Sequence, residues 1–427
     1  MQASEQSQPS VPPWFAETVL LVEYLRTHGL LDALTHQVHL VRGRFGQYEV
    51  LDFLAPLFGY AISGERTLQA YFERLKPFAD PFMALFERNR LPHRTTLSRF
   101  LAAVDPSCLE AVRTLFVSSS FTWGWTQETI GGVWDRTGHR YLVFDIDGTR
   151  EAARQRTLPS DATLPPPHRR LERVCGPGYL GRQRGEVVRT RTTVLQMHTR
   201  QWLGTFGGRG NGNYRGDLTT ALKALKTYLA EWQLLPNQAI VRVDGQYGDG
   251  VVIADILATG VQIVGRCRTY SLLDHPAVRL ALTRAPVAVV TAPESQVSYE
   301  VFEAALCLDP GDLPVRIILT RRPWRGERVP VGKHKGEWVY EVFVTSLPAE
   351  GFCATDVLDL YHGRGAFEGT LADVARGGRF RPLVFVCGAG TRTVAGGLAM
   401  GLESATGAGA RAGAGLLALH RLGAGNA

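Results

Sequence analysis

Three acidic residues in this chain have the type and surroundings that phosphoryl-transfer chemistry requires. Asp147 stands in FDIDGT, Asp244 in VRVDGQYGDG and Glu368 in YHGRGAFE. Each aspartate is followed by glycine, which lets the backbone turn sharply and a ligand come close. Two aspartates and a glutamate that converge form an all-oxygen donor set, suited to Mg2+ or Mn2+. A pair of such ions can activate a water or a DNA 3′-hydroxyl and stabilise the leaving oxygen of an in-line displacement. Asp145 lies two residues before Asp147 and shares its face, so it is a further candidate ligand or the true one. Asp249 reads as a helix-start acid.

Other site chemistries find less support. His168, His198 and His362 lack metal-like pairing, and no nucleophile elbow occurs. GRGNGN at 208–213 lacks the spacing of a phosphate-cradling loop and reads as a turn. The six cysteines (Cys108, Cys175, Cys267, Cys307, Cys353, Cys387) are too scattered for a zinc ribbon or a disulfide scaffold and read as buried free thiols.

The elements that must position the acids can be read from periodicity. Tyr141–Ile146 is a short apolar run and predicts a buried strand ending near Asp147. Ala239–Val243 predicts a second strand ending on Asp244. Thr355–Leu371 predicts a helix on which Tyr361, Arg364 and Glu368, at i, i+3 and i+7, share one face. Val187–Gln196 alternates like a half-exposed strand, with Gln201–Phe206 able to pair with it. Asp217 is expected to cap a helix carrying the stripe Leu218, Leu222, Leu225, Leu229 and Trp232. Val251–Ala258 predicts a helix, Val261–Arg266 a strand, and 270–350 a β-rich insertion that includes Val315–Leu319 and Trp338–Thr345. Residues 14–120 read as mostly helical. Within them, a helix from Pro81 to about Phe86, a turn and a helix over Thr95–Ala103, capped by Thr95 or Thr96, carry Arg90, Arg94 and Arg99. This unit is either a DNA-reading motif or a plain helical hairpin.

Length and charge bound the function. The 427 residues, 45% hydrophobic and 20% charged, have room for two or three domains and are not composed like a disordered chain. No apolar run is long enough for a membrane span, and the first residues do not read as a secretory signal. Net charge is +7, yet the segment 150–216 alone holds 13 Arg against four acids, or +9. Arginine used without lysine favours bidentate phosphate contacts, so Arg182, Arg184, Arg189 and Arg191 are candidate DNA ligands. Gly377–Ala427 is different again, with 13 Gly, 11 Ala and the single acid Glu403, and Leu383–Cys387 is its one strand-like run.

Together, DGT at 147–149, DG at 244–245 and Y-x2-R-x3-E at Tyr361, Arg364 and Glu368 resemble the DDE transposases of bacterial insertion sequences, specifically the "insertion sequence four" family. The resemblance covers roughly residues 85–376. It implies an α/β fold with an RNase H-like (retroviral-integrase-like) core over 131–376 and a β-rich insertion about 265–350. The helical region over 1–130 would then serve DNA binding or dimerisation, and the tail over 377–427 departs from the long helices with which the family continues. Asp147, Asp244 and Glu368 would be catalytic and hold two Mg2+ or Mn2+ ions, and Tyr361 and Arg364 would contact transposon-end DNA. The implied activity is hydrolysis at the element's inverted-repeat ends and strand transfer into target DNA. The implied setting is a homodimeric synaptic complex in the prokaryotic cytoplasm, at the nucleoid. The family signature continues with lysine seven residues after the glutamate, where this chain has Ala375 followed by Arg376. The tail reads as a change of frame near 373–380. The alternatives are a remnant that binds DNA without cutting it, and an RNase H-like nuclease without strand transfer.

Overall fold

The computed structural model describes residues 10–38, 47–65, 67–104, 108, 111–116, 126–154, 176–178, 186–208, 210, 214–291, 296–309 and 312–365. Glu368, Arg182, Arg184, Cys175, His168, most of GRGNGN and the whole 377–427 tail, Leu383–Cys387 and Cys387 included, lie outside the described residues.

The N-terminal part is helical: α1 (Pro13–Thr27), α2 (Leu30–Gln37), α3 (Val50–Ser63), α4 (Leu68–Leu75), α5 (Ala79–Leu85) and α6 (Arg94–Ala103). Helix α3 is apolar almost all round and is buried along nearly its whole length, as a central helix must be. Its first turn closes through a reciprocal Glu49–Asp52 capping box, and Arg88 reaches back to Asp52 with two bonds of 2.7 and 3.0 Å. The cap of α6 is His93 rather than Thr95 or Thr96: its ring accepts the Thr95 N–H, so the helix starts one residue earlier than the threonines suggest. Arg90, Arg94 and Arg99 are all exposed around the α5–α6 turn.

Close packing in this bundle sets one clear expectation. A Cβ on Gly59 would lie 2.2 Å from the Tyr71 hydroxyl and 2.7 Å from the Phe82 ring, both fully buried. Gly59→Ala is therefore expected to destabilise the protein by about 1–3 kcal/mol of overpacking, read as a lower urea midpoint. An unchanged midpoint would mean that the bundle yields there.

The rest of the described chain is a mixed α/β unit built on a large mixed sheet, in the order β3-β4-β2-β6-β7-β12-β10-β9-β8. The first strands are β1 (Val133–Trp134), β2 (Arg140–Arg154), β3 (Gly176–Gly178), β4 (Glu186–Gln196) and β5 (Trp202–Phe206). Helix α7 (Tyr214–Glu231), β6 (Ala239–Val243), α8 (Gly250–Leu257) and β7 (Gln262–Arg266) follow. After α9 (Pro276–Leu282) come β8 (Ala288–Thr291), β9 (Ser298–Leu308), β10 (Leu313–Pro323), β11 (Lys333–Lys335) and β12 (Trp338–Thr345), then helix α10 (Ala354–His362). Strands β2, β4 and β5 are antiparallel neighbours, whereas β2, β6 and β7 run parallel. The strands between residues 288 and 345 extend the same sheet, because β12 pairs directly with β7.

Alternation along the central strands sorts side chains between two cores. Leu142, Phe144, Ile146, Val241 and Val243 pack with α7 and α8 on one face. Tyr141, Val143 and Ile240 face the other way, onto Ala354, Val357, Leu358 and Tyr361 of α10. A third core, over residues 14–116, belongs to the bundle.

Several elements differ from the sequence expectation, each for a physical reason. Strand β2 does not stop at Ile146 but runs on to Arg154, held by antiparallel pairing with β4. Strand β4 is buried rather than half-exposed, since it is flanked on both sides and its polar side chains find partners. Thr190 donates to Asp217 at 2.6 Å, and Thr192 lies 3.2 Å from the Tyr247 hydroxyl. Helix α7 begins at Tyr214, so Asp217 lies inside its first turn and does not cap it. Cys307 is exposed and Cys353 half-buried, unlike the buried Cys108 and Cys267.

Candidate active site

The site is set by strand register. In the parallel pair β2–β6, Asp145 lies beside Arg242 and Ile146 beside Val243. One step further come Asp147, still on β2, and Asp244, the first residue after β6. Both follow the last parallel rung, where backbone and side chains at the carboxyl ends of strands are free to form a site. Alternation directs these two aspartates toward the face covered by α10.

Asp147 is not at the end of its strand, as the sequence suggested, but at the point where β2 leaves β6 and stays paired only with β4. Thr149, the last residue of DGT, donates to Asp147 Oδ2 at 3.1 Å. Asp244 begins a 3-10 turn over Gly245–Tyr247 and accepts the Gln246 N–H at 2.9 Å. Burial pushes the Asp244 carboxyl above its ordinary value; Arg364 and the Gln246 bond oppose that, and Asp147 adds to it.

The glycine of DGT has a packing reason. A Cβ on Gly148 would lie 2.5 Å from Gln246 Nε2 and from the Tyr247 hydroxyl, and 2.9 Å from the Tyr214 ring. The residues after Asp244 thus press against the residue after Asp147. Gly148→Ala is expected to lower stability by about 1–3 kcal/mol and to slow any reaction at Asp147, both measured on one purified sample. A variant with normal stability and rate would show that the 245–247 turn gives way without consequence.

Helix α10 supplies the third side of the site. Arg364, just beyond its end, donates to Asp147 Oδ1 and is only 4% exposed. Burial works against the charge of this guanidinium, but Asp147 and Asp244 outweigh it and hold its pKa above the ordinary value. Tyr361 is 6% exposed, edge-on to Phe343, with the Arg266 guanidinium 5.2 Å from its ring centroid. Both signature residues therefore point inward here. Arg189, a candidate phosphate ligand, is 4% exposed, and Arg191 is partly buried. Helix α10 spans Ala354–His362, Gly363 and Arg364 form a turn, Gly365 is helical again, and the rest of Thr355–Leu371 lies outside the described residues.

The structure separates the two aspartates of FDID. Asp145 is fully buried and bound by Arg242, so it has no free oxygen face for a metal, whereas Asp147 is partly exposed. Sequence reasoning missed the Asp145–Arg242 pair. Its signal was available: one acid in YLVFDI and one base in AIVRV each interrupt an otherwise apolar strand, and a buried charge requires a partner.

Among the described residues, no group of three or more His, Cys, Asp or Glu side chains is placed to hold a metal. The Asp147–Asp244 pair is nevertheless the kind of donor set a hard divalent cation takes: two carboxylates that feel each other's charge at a partly open strand end, with the Arg364 and Arg268 guanidinium groups offsetting it. No helix among the described residues is long and apolar enough to cross a membrane.

No protein-family model matches the chain, and no curated protein matches it in sequence. One solved structure with a similar course of the chain is the cryo-EM structure of a piggyBac transposase synaptic complex with hairpin DNA. It is 11% identical, with 93% of this chain and 76% of that chain covered and a TM-score of 0.41. A likeness at that level carries no argument about activity.

Proposed function

We propose that the chain is a DDE-type DNA transposase, one that cuts insertion-sequence ends and joins them to target DNA. The observation that carries this reading is that the last parallel rung of β2–β6, Ile146 with Val243, directly precedes Asp147 and Asp244, with Arg364 of the Y-x2-R motif bonded to Asp147. Three antiparallel strands, a helix, a parallel strand, a helix and a second parallel strand follow one another in the order of an RNase H-like core. The strands inserted between β7 and α10 agree with the insertion such transposases carry.

In this reading Asp147 and Asp244, with Glu368, hold Mg2+ or Mn2+. Held by these carboxylates, such a metal would activate a water or a DNA 3′-hydroxyl at neutral pH and offset charge on the departing oxygen. The chain's own residues do the rest. Thr149 and the Gln246 N–H orient the two carboxylates. Arg364 offsets their charge and is placed to meet a DNA phosphate when it lets go of Asp147. The +9 segment over 150–216, its buried Arg189 aside, would supply cations for phosphate contacts.

The test is nicking of the element's own inverted-repeat ends in Mg2+, by the wild type and by Asp244→Ala. Faster nicking by the wild type is expected. Equal rates would end the catalytic reading. The Arg364–Asp147 ion pair favours a second reading, in which the arginine permanently neutralises the site and the protein binds ends without cutting them. Salt-sensitive end binding with no nicking by either protein would select it.

A further inference from the structure

Directly behind the acidic pair lies a charged pair that the proposed reaction does not use. Asp145 and Arg242 face each other across β2 and β6, each 1% exposed, on the same face as Asp147 and Asp244. Arg242 donates from Nε to Asp145 Oδ1 at 2.7 Å and from Nη2 to Oδ2 at 2.6 Å. Its remaining nitrogen, Nη1, donates to the Leu360 carbonyl at 2.7 Å.

Leu360 lies in the last turn of α10, whose final carbonyls have no partner within the helix. The carbonyls on either side are taken locally, Asp359 by the Gly363 N–H at 2.9 Å and Tyr361 by the Arg364 N–H at 3.0 Å. Arg242 satisfies the one between them from the sheet below, and its charge suits the negative end of the helix dipole. Gly363 makes room for it: a Cβ there would lie 2.8 Å from Arg242 Nη1, a side chain already fixed by its bonds to Asp145. A glycine that would weaken a helix interior is here the point where the helix end meets a buried guanidinium.

A buried ion pair adds little net stability, because apolar residues of the same volume often serve as well. What a bidentate pair with a third bond does supply is a fixed position. We infer that Arg242, oriented by Asp145, is a positioning residue: it sets the height and rotation of the last turn of α10 and so delivers Arg364 to Asp147. This rests on the reading of Asp147 and Asp244 as the reaction centre.

The test uses hydrogen–deuterium exchange on the full chain, with end nicking run alongside. Two variants disturb the contact differently. Asp145→Val with Arg242→Met removes the polar bonds with little change in total volume, and Gly363→Ala drives a methyl against Nη1 while keeping both partners of the pair. In both, the amides of 360–364 are expected to exchange at least ~10-fold faster while β6 and β7 keep their protection, and nicking is expected to fall at least ~10-fold (about 1.4 kcal/mol) at unchanged affinity for the ends. Unchanged exchange at 360–364 overturns the inference, and so does faster exchange with wild-type nicking. If the double variant does not fold, Gly363→Ala decides on the same criteria. If the wild type nicks no faster than Asp244→Ala, the transposase reading fails, while exchange at 360–364 still decides whether Arg242 holds the helix end.

Discussion

Asp147→Asn and Asp244→Asn are each expected to reduce metal-dependent nicking at least ~10^3-fold, about 4 kcal/mol of barrier, with end binding retained. The two residues directly follow the last parallel rung of β2–β6 and share the cation Arg364, so neither carboxylate can be lost without unbalancing the site. The same variants separate a metal site from a merely acidic one through stability. Any ligand that binds only the folded state stabilises it, by about 2.7 kcal/mol at a hundredfold excess over Kd. Mg2+ or Mn2+ should therefore raise the melting temperature of the wild type and leave Asp147→Asn where it was. Without metal the order reverses. Burial and Asp147 hold the Asp244 carboxyl above its ordinary pKa, so the folded state binds more protons there than the unfolded state does. Wild-type stability then falls as pH rises from the ordinary carboxylate range through the raised value, and Asp244→Asn escapes that loss. At neutral pH the metal-free variant should melt no lower than the wild type. Equal metal-induced shifts in all three proteins, with unchanged nicking, would remove both aspartates from the site.

How much of the molecule was legible in the sequence depended on whether a feature was local. The apolar runs at 141–146 and 239–243 are strands because β-branched and aromatic residues suit a sheet buried on both faces, and that property lies in the run itself. The adjacency of Asp147 and Asp244 was legible only as a motif, since register is decided by pairing between distant segments. The extension of β2 to Arg154 was hidden because REAAR has no strand composition; pairing with β4 holds it extended. Strand β4 misled in the other direction. Thr and Arg in alternation look solvent-facing, but Thr190 and Thr192 find a carboxylate and a tyrosine hydroxyl in the interior. The glycines in and after YHGRGAFE look helix-weakening by local propensity, and for Gly363 the cause is a side chain on another strand, which no local pattern encodes.

The largest stability effect is expected at Arg242 taken alone. Arg242→Met keeps most of the buried stem but leaves Asp145 sealed in the sheet without its bonded cation, and breaking a buried pair on one side costs about 3–5 kcal/mol. The Leu360 carbonyl loses its donor as well, which adds to the loss if no water reaches it. The cost should depend on pH in a definite direction. Burial already pushes the Asp145 carboxyl upward, and Arg242 is the main opposing influence. Once Arg242 is gone, the folded state keeps Asp145 protonated to higher pH than the unfolded chain does. The variant should therefore be closest to wild type in acid and lose stability as pH climbs through the raised value. Adding Asp145→Val should remove this pH dependence and recover most of the lost free energy, leaving a deficit near the cost of the unmet Leu360 carbonyl. Urea titrations of the wild type and both variants at several pH values measure each quantity directly. A single variant as stable as the wild type, at every pH, would mean that Asp145 is reached by water and that the pair is not the sealed anchor under the site.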